Sequence, residues 1–409
     1  MKELTAVSRD FSGPLKEEDR ISLWQLLVLG LQHTFTMFGA TVLVPLLTGL
    51  DVGVALFTAG IGTLFFHVVT KGKVPIFLGS SFAFIAPVAL VVKQWGIPAA
   101  QGGIIAAGLL YVVMALLIYF LGKDFMERLL PPIVTGPVIM VIGLNLAPTA
   151  VQSASQNWAI ALIVLVAVAI VSVYGKGFFK LVPVLVGLIA GYVASLIFGI
   201  VDLKSIQDAA LFAVPNFTFP EFNLSAIGLI APVAIATMVE HVGDMLAVGA
   251  TVGKDFVKDP GLHWTLIGDG IATSLAGLFG GPANTTYSEN TGVLALTGVW
   301  KSQVMRVAAV MAILLANFQK LTAMIRTVPD PVIGGISIVL FGMIASIGAR
   351  TLVENKVDFT KARNLLISSV IMVIGIGGAV IQLPGGIQFG GVGLAAVLGI
   401  ILNQLLPQE

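Results

Sequence analysis

Four carboxylates lie inside otherwise apolar runs of the chain: Glu240, Asp244, Asp269 and Glu289. An ionisable group at bilayer depth is costly to keep, so its presence there points first to function. Glu240 and Asp244 are four residues apart and share one face of a helix. Two carboxylates held that close in a low dielectric do not both ionise readily, which suits one of the pair to carrying a proton. Glu289 sits in NTTYSENTGVLALTG, residues 284–298, flanked by small and hydroxyl side chains. At the start of a half-helix its carboxylate either accepts a ligand N–H or caps the helix, because free N–H groups and the dipole favour negative charge there. Asp269 falls nearer a helix end, beside DPGLHW, and reads as structural. His33 and His241 read as hydrogen-bonding residues no less readily than as functional ones, and His67 and His263 read as peripheral. Neither His33 nor His241 falls into a ligand set at metal spacing. The sequence has no P-loop to drive a pump and no nucleophile–base–orienter set for an enzyme. The chemistry within reach is recognition of hydrogen-bond donors and carriage of a proton, with no cofactor or metal.

The chain that must position these groups has 409 residues, of which 57% are hydrophobic and 11% charged, and its mean hydropathy is +1.00. Water-soluble domains of this length do not reach such values, so the chain is polytopic and has the lipid bilayer as its solvent. Its 46 glycines and 19 prolines are spread along the apolar runs, as membrane helices allow where neighbours satisfy the backbone. The opening MKELTAVSRDFSGPLKEEDR lacks the apolar core and cleavage site of a signal peptide, so the first span is expected to direct insertion. The absence of cysteine excludes disulfides and thiolate chemistry. A net charge of +1 argues against a nucleic-acid partner.

A membrane helix takes roughly 20 apolar residues, and counting on that basis gives fourteen runs between positions 23 and 406. Those at 75–92 and 284–299 are short and interrupted by Gly, Ser, Thr or Pro, whereas those at 264–281 and 364–383 count as ordinary spans. With the N-terminus cytoplasmic, alternate loops hold 18 of the 22 basic residues, leaving Lys93, Lys204, Lys320 and Arg326 on the other side. The positive-inside rule reads this as both termini cytoplasmic.

The chain also repeats itself. Gln32-His33 recurs as Glu240-His241 208 residues later, and PIFLGSSF from Pro75 lines up with PANTTYSE from Pro282 at an offset of 207. Pro132 to Gly143 has the same 11-residue step as Pro331 to Gly342. Three correspondences in order imply two halves of seven spans, the second inverted, which is transporter architecture with a site near the midplane where half-helix N-termini offer free N–H groups. On this reading the backbone N–H groups of Phe82 and Ser288 point into a cavity between the halves. Small residues there would also serve close helix packing alone.

Glu289 to Gly298, ENTGVLALTG, resembles the signature of the nucleobase-ascorbate transporter family: Gln, Glu or Pro, then Asn-x-Gly-x4-Thr, then Arg, Lys or Gly. The Gln32-His33 pair, LGSSFAF at 78–84, EHVGD at 240–244 and DPGLH at 259–263 are similar to the bacterial uracil permease branch. The resemblance, which covers nearly the whole chain, implies an all-α polytopic protein of fourteen transmembrane segments in inverted repeats, with short strands in spans 3 and 10. It implies a cytoplasmic segment 1–22, a core domain at 23–122 and 224–325, and a gate domain at 131–200 and 330–407. It implies multi-pass residence in the inner, cytoplasmic membrane and uracil import by proton symport, and it leaves a homodimer open. Carried over by position, Glu240 and Glu289 would bind the pyrimidine N–H groups, and the backbones of Phe82 and Ser288 its carbonyls, with Ser81 and Phe341 lining the site. Proton coupling would fall to Glu240, Asp244 and His241, with Gln32, His33, Asn290 and Tyr287 in support. Asp244 stands where uracil permeases often have His, Ser288 where they often have Gly, and Phe341 where Tyr is common. Asp244 is also similar to the purine branch, while Glu289 and His241 favour the pyrimidine branch. Xanthine or a broader nucleobase:cation symporter is thus the alternative. An anion transporter of the same fold would want positive potential where two glutamates stand. A sodium site using the unwound carbonyls of GPANTT also stays open.

Overall fold

The computed structural model describes residues 21–122, 125, 128–384 and 387–407. The expected cytoplasmic segment lies outside these residues except for its last two, and so does Lys123. The chain opens with α1 (Leu23–Thr48), started by a capping box between Ser22 and Gln25, and α2 (Val52–Val69), capped by Asp51 on Val54 N–H at 2.9 Å. An extended stretch holds β1 (Leu78–Ser80), then a single 3₁₀ turn at Phe82–Phe84 leads into α3 (Ile85–Leu121). Inside α3 the chain breaks at Gly96, φ 84°, two residues before Pro98, which separates the runs read as different spans. Next come α4 (Pro132–Ser155), α5 (Trp158–Tyr174), α6 (Pro183–Ile197) and the short α7 (Lys204–Asp208).

The second half starts with α8 (Leu224–Ile230), separated from α9 (Ala234–Val252) by a 3₁₀ turn containing Pro232. It continues with α10 (Leu262–Phe279), β2 (Asn284–Thr286), α11 (Ser288–Thr297), α12 (Ser302–Ala316) and α13 (Gln319–Arg326). The chain closes with α14 (Asp330–Glu354), α15 (Ala362–Ile376), the hairpin β3 (Val380–Leu383) and β4 (Ile387–Gly390), and α16 (Gly391–Leu405).

Two sets of helices pack mainly among themselves. One joins α1, α2, α3, α10 and α12, and the other joins α4, α5, α6, α14, α15 and α16. In the second set α4 and α14 approach so closely that a side chain on Gly136 would meet Leu352 and one on Gly348 would meet Met140. Small residues at such contacts are how membrane helices gain van der Waals packing without a hydrophobic drive. Outward faces carry apolar side chains such as Leu109, Leu162 and Ile170, as a hydrocarbon surround requires. Two ion pairs tie the halves at their loops, Asp51 to Arg326 and Lys73 to Asp259.

The apolar runs become helices of unequal length. Among the described residues six are long and apolar enough to cross a membrane, or seven if α12 and α13, bent by 78°, form one span, while α5, α6, α15 and α16 are shorter. The run at 364–383 is not one helix: α15 stops at Ile376, Gly378 turns the chain at φ 63°, and β-branched Val380 and Ile381 pair into the hairpin. Hydropathy alone does not separate an apolar strand from an apolar helix. Lys301, counted among the loop cations, is almost fully buried at the start of α12.

Candidate functional site

The two broken segments meet. β1 and β2 pair antiparallel over three residues each, with Leu78 opposite Thr286, Gly79 opposite Thr285 and Ser80 opposite Asn284. Irregular backbone is tolerated at membrane depth only where protein satisfies it, and here helix side chains do so. Thr63 of α2 accepts from Leu78 N–H at 2.9 Å, Thr273 of α10 donates to Asn284 C=O at 2.8 Å, and the Asn284 amide donates to Thr58 C=O at 2.9 Å. The strand ends are closed by Ser81 N–H on Ala283 C=O and Tyr287 N–H on Phe77 C=O. Gly79 is required where it stands, because the Tyr287 ring occupies the space of a side chain there. His67 is not peripheral: it is buried, and its Nε2 lies 3.0 Å from Ile76 C=O, holding the lead-in to β1.

Just beyond each strand a helical segment begins. The 3₁₀ turn starts at Phe82 and α11 at Ser288, and neither N-cap residue, Ser81 or Tyr287, caps the start with its side chain. Their first N–H groups lack intrahelical partners. Glu289 lies in the first turn of α11, where the dipole favours its charge. Glu289 and Ser288 are exposed, whereas the next residue, Asn290, is completely buried. Glu240, on α9 packed against α11, is exposed in the same way beside fully buried His241. The two carboxylates are close enough for their charges to act on each other. Two accessible acids therefore lie on neighbouring helices, one of them in the first turn of α11.

The other expected residues divide. Asp244 is buried, and the Thr286 hydroxyl donates to its Oδ2 at 2.7 Å, so the acid four residues from Glu240 is anchored on β2. His33 is buried, with Asn290 Nδ2 3.0 Å from its Nδ1 and also donating to its carbonyl at 3.2 Å, which ties α1 to α11. Tyr287 is buried as a brace, its hydroxyl donating to Ser80 C=O at 2.9 Å. Gln32 is half-buried on α1. Ser81 is buried with no partner for its hydroxyl among the described residues. The Phe82 ring packs half-buried against the apolar core, and Phe341 of α14 is inside that core at 2% exposure.

Asp269, expected near a helix end, lies elsewhere along its helix. It lies in the body of α10, fully buried, with its Oδ2 3.1 Å from His241 Nδ1. An apolar run counted from 264 puts the acid near an end, but α10 begins at Leu262, which sets Asp269 about two turns inside it. Thr286 and Tyr111 were missed as well. Tyr111, fully buried in α3, donates to Thr237 Oγ1 at 2.6 Å. A lone tyrosine in an apolar run signals a buried hydroxyl that needs a partner, but periodicity does not say which.

The fold is mostly helical and polytopic, of membrane type, with two short strands that bring two helix starts together. The transmembrane domain of a cyanobacterial bicarbonate transporter shares this fold, with a TM-score of 0.65 over 95% of this chain and 99% of that one at 15% identity. The murine solute carrier 26 member A9 anion transporter, inward-facing, gives 0.70 over 95% of this chain and 69% of that one at 11% identity. The chain belongs to the nucleobase-ascorbate transporter family: the family profile described as "Permease family" matches residues 24–383. It is 46% identical over 405 residues to a uracil permease of Bacillus caldolyticus, covering 95% of this chain and 94% of that one. It is 47% identical over 398 residues to a uracil permease of Bacillus subtilis strain 168, covering 92% of each. A uracil permease of Escherichia coli K12 is 41% identical over 409 residues, covering 96% of this chain and 95% of its own.

Proposed function

We propose that this chain imports uracil by proton symport across the cytoplasmic membrane, with both termini on the cytoplasmic side. The observation that carries the reading is the pair of accessible carboxylates, Glu240 and Glu289, beside the uncapped starts at Phe82 and Ser288. Uracil presents two N–H donors and two C=O acceptors around one ring, and two carboxylates with two backbone N–H groups complement that set. The permease relatives at 41–47% identity support the same substrate. The frame is fourteen spans in two inverted repeats, with β1 and β2 as the strands of spans 3 and 10. Residues 23–122 and 224–325 form a core that carries the site, and 131–200 and 330–407 form the gate against which it moves. Ser81, Phe82 and Phe341 shape the walls, and Gln32, His33, Asn290 and Tyr287 hold the core in register.

Proton coupling rests on Glu240 and Asp244, with His241 beside them. A proton taken up with substrate lowers the charge the loaded core carries through the bilayer, and its loss on the cytoplasmic side restores repulsion and favours release. The test is labelled uracil uptake into proteoliposomes under an imposed pH or sodium gradient, with unlabelled uracil, xanthine and ascorbate as competitors. Uptake driven by the pH gradient and blocked best by uracil is expected, because a fused purine must fit a pocket whose acceptors suit one ring. Equal block by xanthine makes this a broad nucleobase carrier, and accumulation driven by sodium alone overturns proton coupling.

A further inference from the structure

The buried side of α9 carries an acid–imidazole contact that substrate binding does not use. His241 Nδ1 and Asp269 Oδ2 are 3.1 Å apart, and neither side chain is exposed. His241 Nε2 and Asp269 Oδ1 have no hydrogen-bond partner among the described residues, and the approach of Nδ1 to Oδ2 is an ion-pair contact without hydrogen-bond alignment. Buried polar groups are kept under such conditions only when something is gained from them.

Helical geometry shows what that is. At about 100° per residue, Asp244 lies roughly 40°, Thr237 roughly 60° and His241 roughly 100° round α9 from Glu240, all in one direction. Three contacts fan across this side: Thr286 on Asp244, Tyr111 on Thr237, and Asp269 on His241. Glu240 stands at the edge of the fan, and exposed Gly243 lies just beyond it. All three contacts act at about the same radius from the helix axis, and the one on His241 pins the side of α9 furthest round from Glu240. A 3₁₀ turn with Pro232 interrupts the helix at one end, and Gly253 in the left-handed conformation stops it at the other, so its rotation is set by side-chain contacts rather than by continuous helix beyond its ends.

We propose that Asp269 and His241 are positioning residues whose contact fixes the rotation of α9 and so aims Glu240 at the open site. The consequence for transport rests on Glu240 binding substrate; the rotation does not. The chain has no cysteine, and a side chain added at Gly243 meets nothing within 4 Å. Gly243→Cys therefore reports the rotation of α9 through its labelling rate with a membrane-impermeant maleimide in nanodiscs. Asp269→Ala in that background is expected to slow labelling several-fold and to weaken uracil binding roughly ten-fold, the loss of one well-aimed charge-assisted hydrogen bond. His241→Gln with Asp269→Asn, a neutral amide pair able to span the same gap, restores both. Parental labelling in a folded Asp269→Ala protein overturns the proposal. So does failure of the amide pair to restore labelling, which reduces the contact to packing. If Glu240→Gln binds uracil as the parent does, the substrate reading fails while the labelling result decides the rotation on its own.

Discussion

In α1, Gln32 and His33 stand where α9 has Glu240 and His241. His33 meets Asn290 at the start of α11, and His241 meets Asp269 in the body of α10. After β1 come Ser81 and Phe82, and after β2 come Ser288 and Glu289. Each motif thus occurs twice in the sequence, but within these motifs the carboxylates are all in the second copy. The first copy contributes neutral side chains, of which His33 is buried and tied to Asn290 in the other half. Under the proposed function the difference separates charge from frame: the second half supplies the acids, and the first half supplies neutral side chains together with the Phe82 backbone. That division should show as a gradient of mutational effects.

The steepest loss is expected at the accessible acids. Glu289→Gln keeps size and shape but replaces a charged acceptor with a neutral one, at a cost of about 1.5–3 kcal/mol, or roughly ten- to a hundred-fold in uracil affinity. Transport should nearly vanish while the protein remains folded and inserted, and Glu240→Gln should behave alike. Calorimetry on either variant decides the matter, since parental binding removes that residue from the ligand set and breaks the asymmetry. Asp244→Asn comes next and separates binding from coupling. It mimics the protonated acid and can keep the contact with Thr286, so binding should persist while accumulation against a gradient is lost. Uptake by the parent should rise as the external solution is made more acidic, because the proton enters with substrate; in the variant that dependence should flatten. A variant that still accumulates uracil with a parental pH profile puts the carried proton elsewhere.

Much of this division is visible in the sequence, for a physical reason. A carboxylate in an apolar run stands out wherever it falls, so Glu240, Asp244 and Glu289 can be picked out without coordinates. Interrupted runs also stand out, because Gly, Pro and Ser disrupt hydropathy where β1 and β2 form. What stays hidden are partners supplied from distant segments. Nothing local to Asp244 points to Thr286, 42 residues on, and nothing near His241 points to Asp269. The hairpin of β3 and β4 stays hidden because Val and Ile suit an apolar helix and a strand alike.

Asn290→Ala tests the holding role of the first half through stability rather than transport chemistry. It removes the amide that bridges to His33 and leaves a buried imidazole without its neighbour, at a cost of about 1–3 kcal/mol. A lower melting temperature with uracil affinity changed far less than in Glu289→Gln is the expected outcome. Affinity lost as severely as in Glu289→Gln, at parental stability, would make Asn290 a ligand instead.

Gln32→Ala should have the smallest effect and is the sharpest check on the comparison. Gln32 occupies the place of Glu240 in the repeated pattern, so if both halves served the substrate equally its loss would rival that of Glu240. Its side chain is neutral and half-buried, and its backbone carbonyl, which accepts from the Thr36 hydroxyl at 3.0 Å, survives the substitution. What is lost is some packing and at most one neutral hydrogen bond to a ligand, about 0.5–1.5 kcal/mol. The expected change in uracil KM is therefore within roughly ten-fold, with the maximal rate and pH profile near those of the parent. Gln32→Glu carries the test further, because it adds a third acid beside two that already repel. If the site gathers its charge from the second half alone, this variant should bind uracil more weakly than Gln32→Ala does. Equal or tighter binding would show that a side chain of the first half can recognise substrate with charge as well.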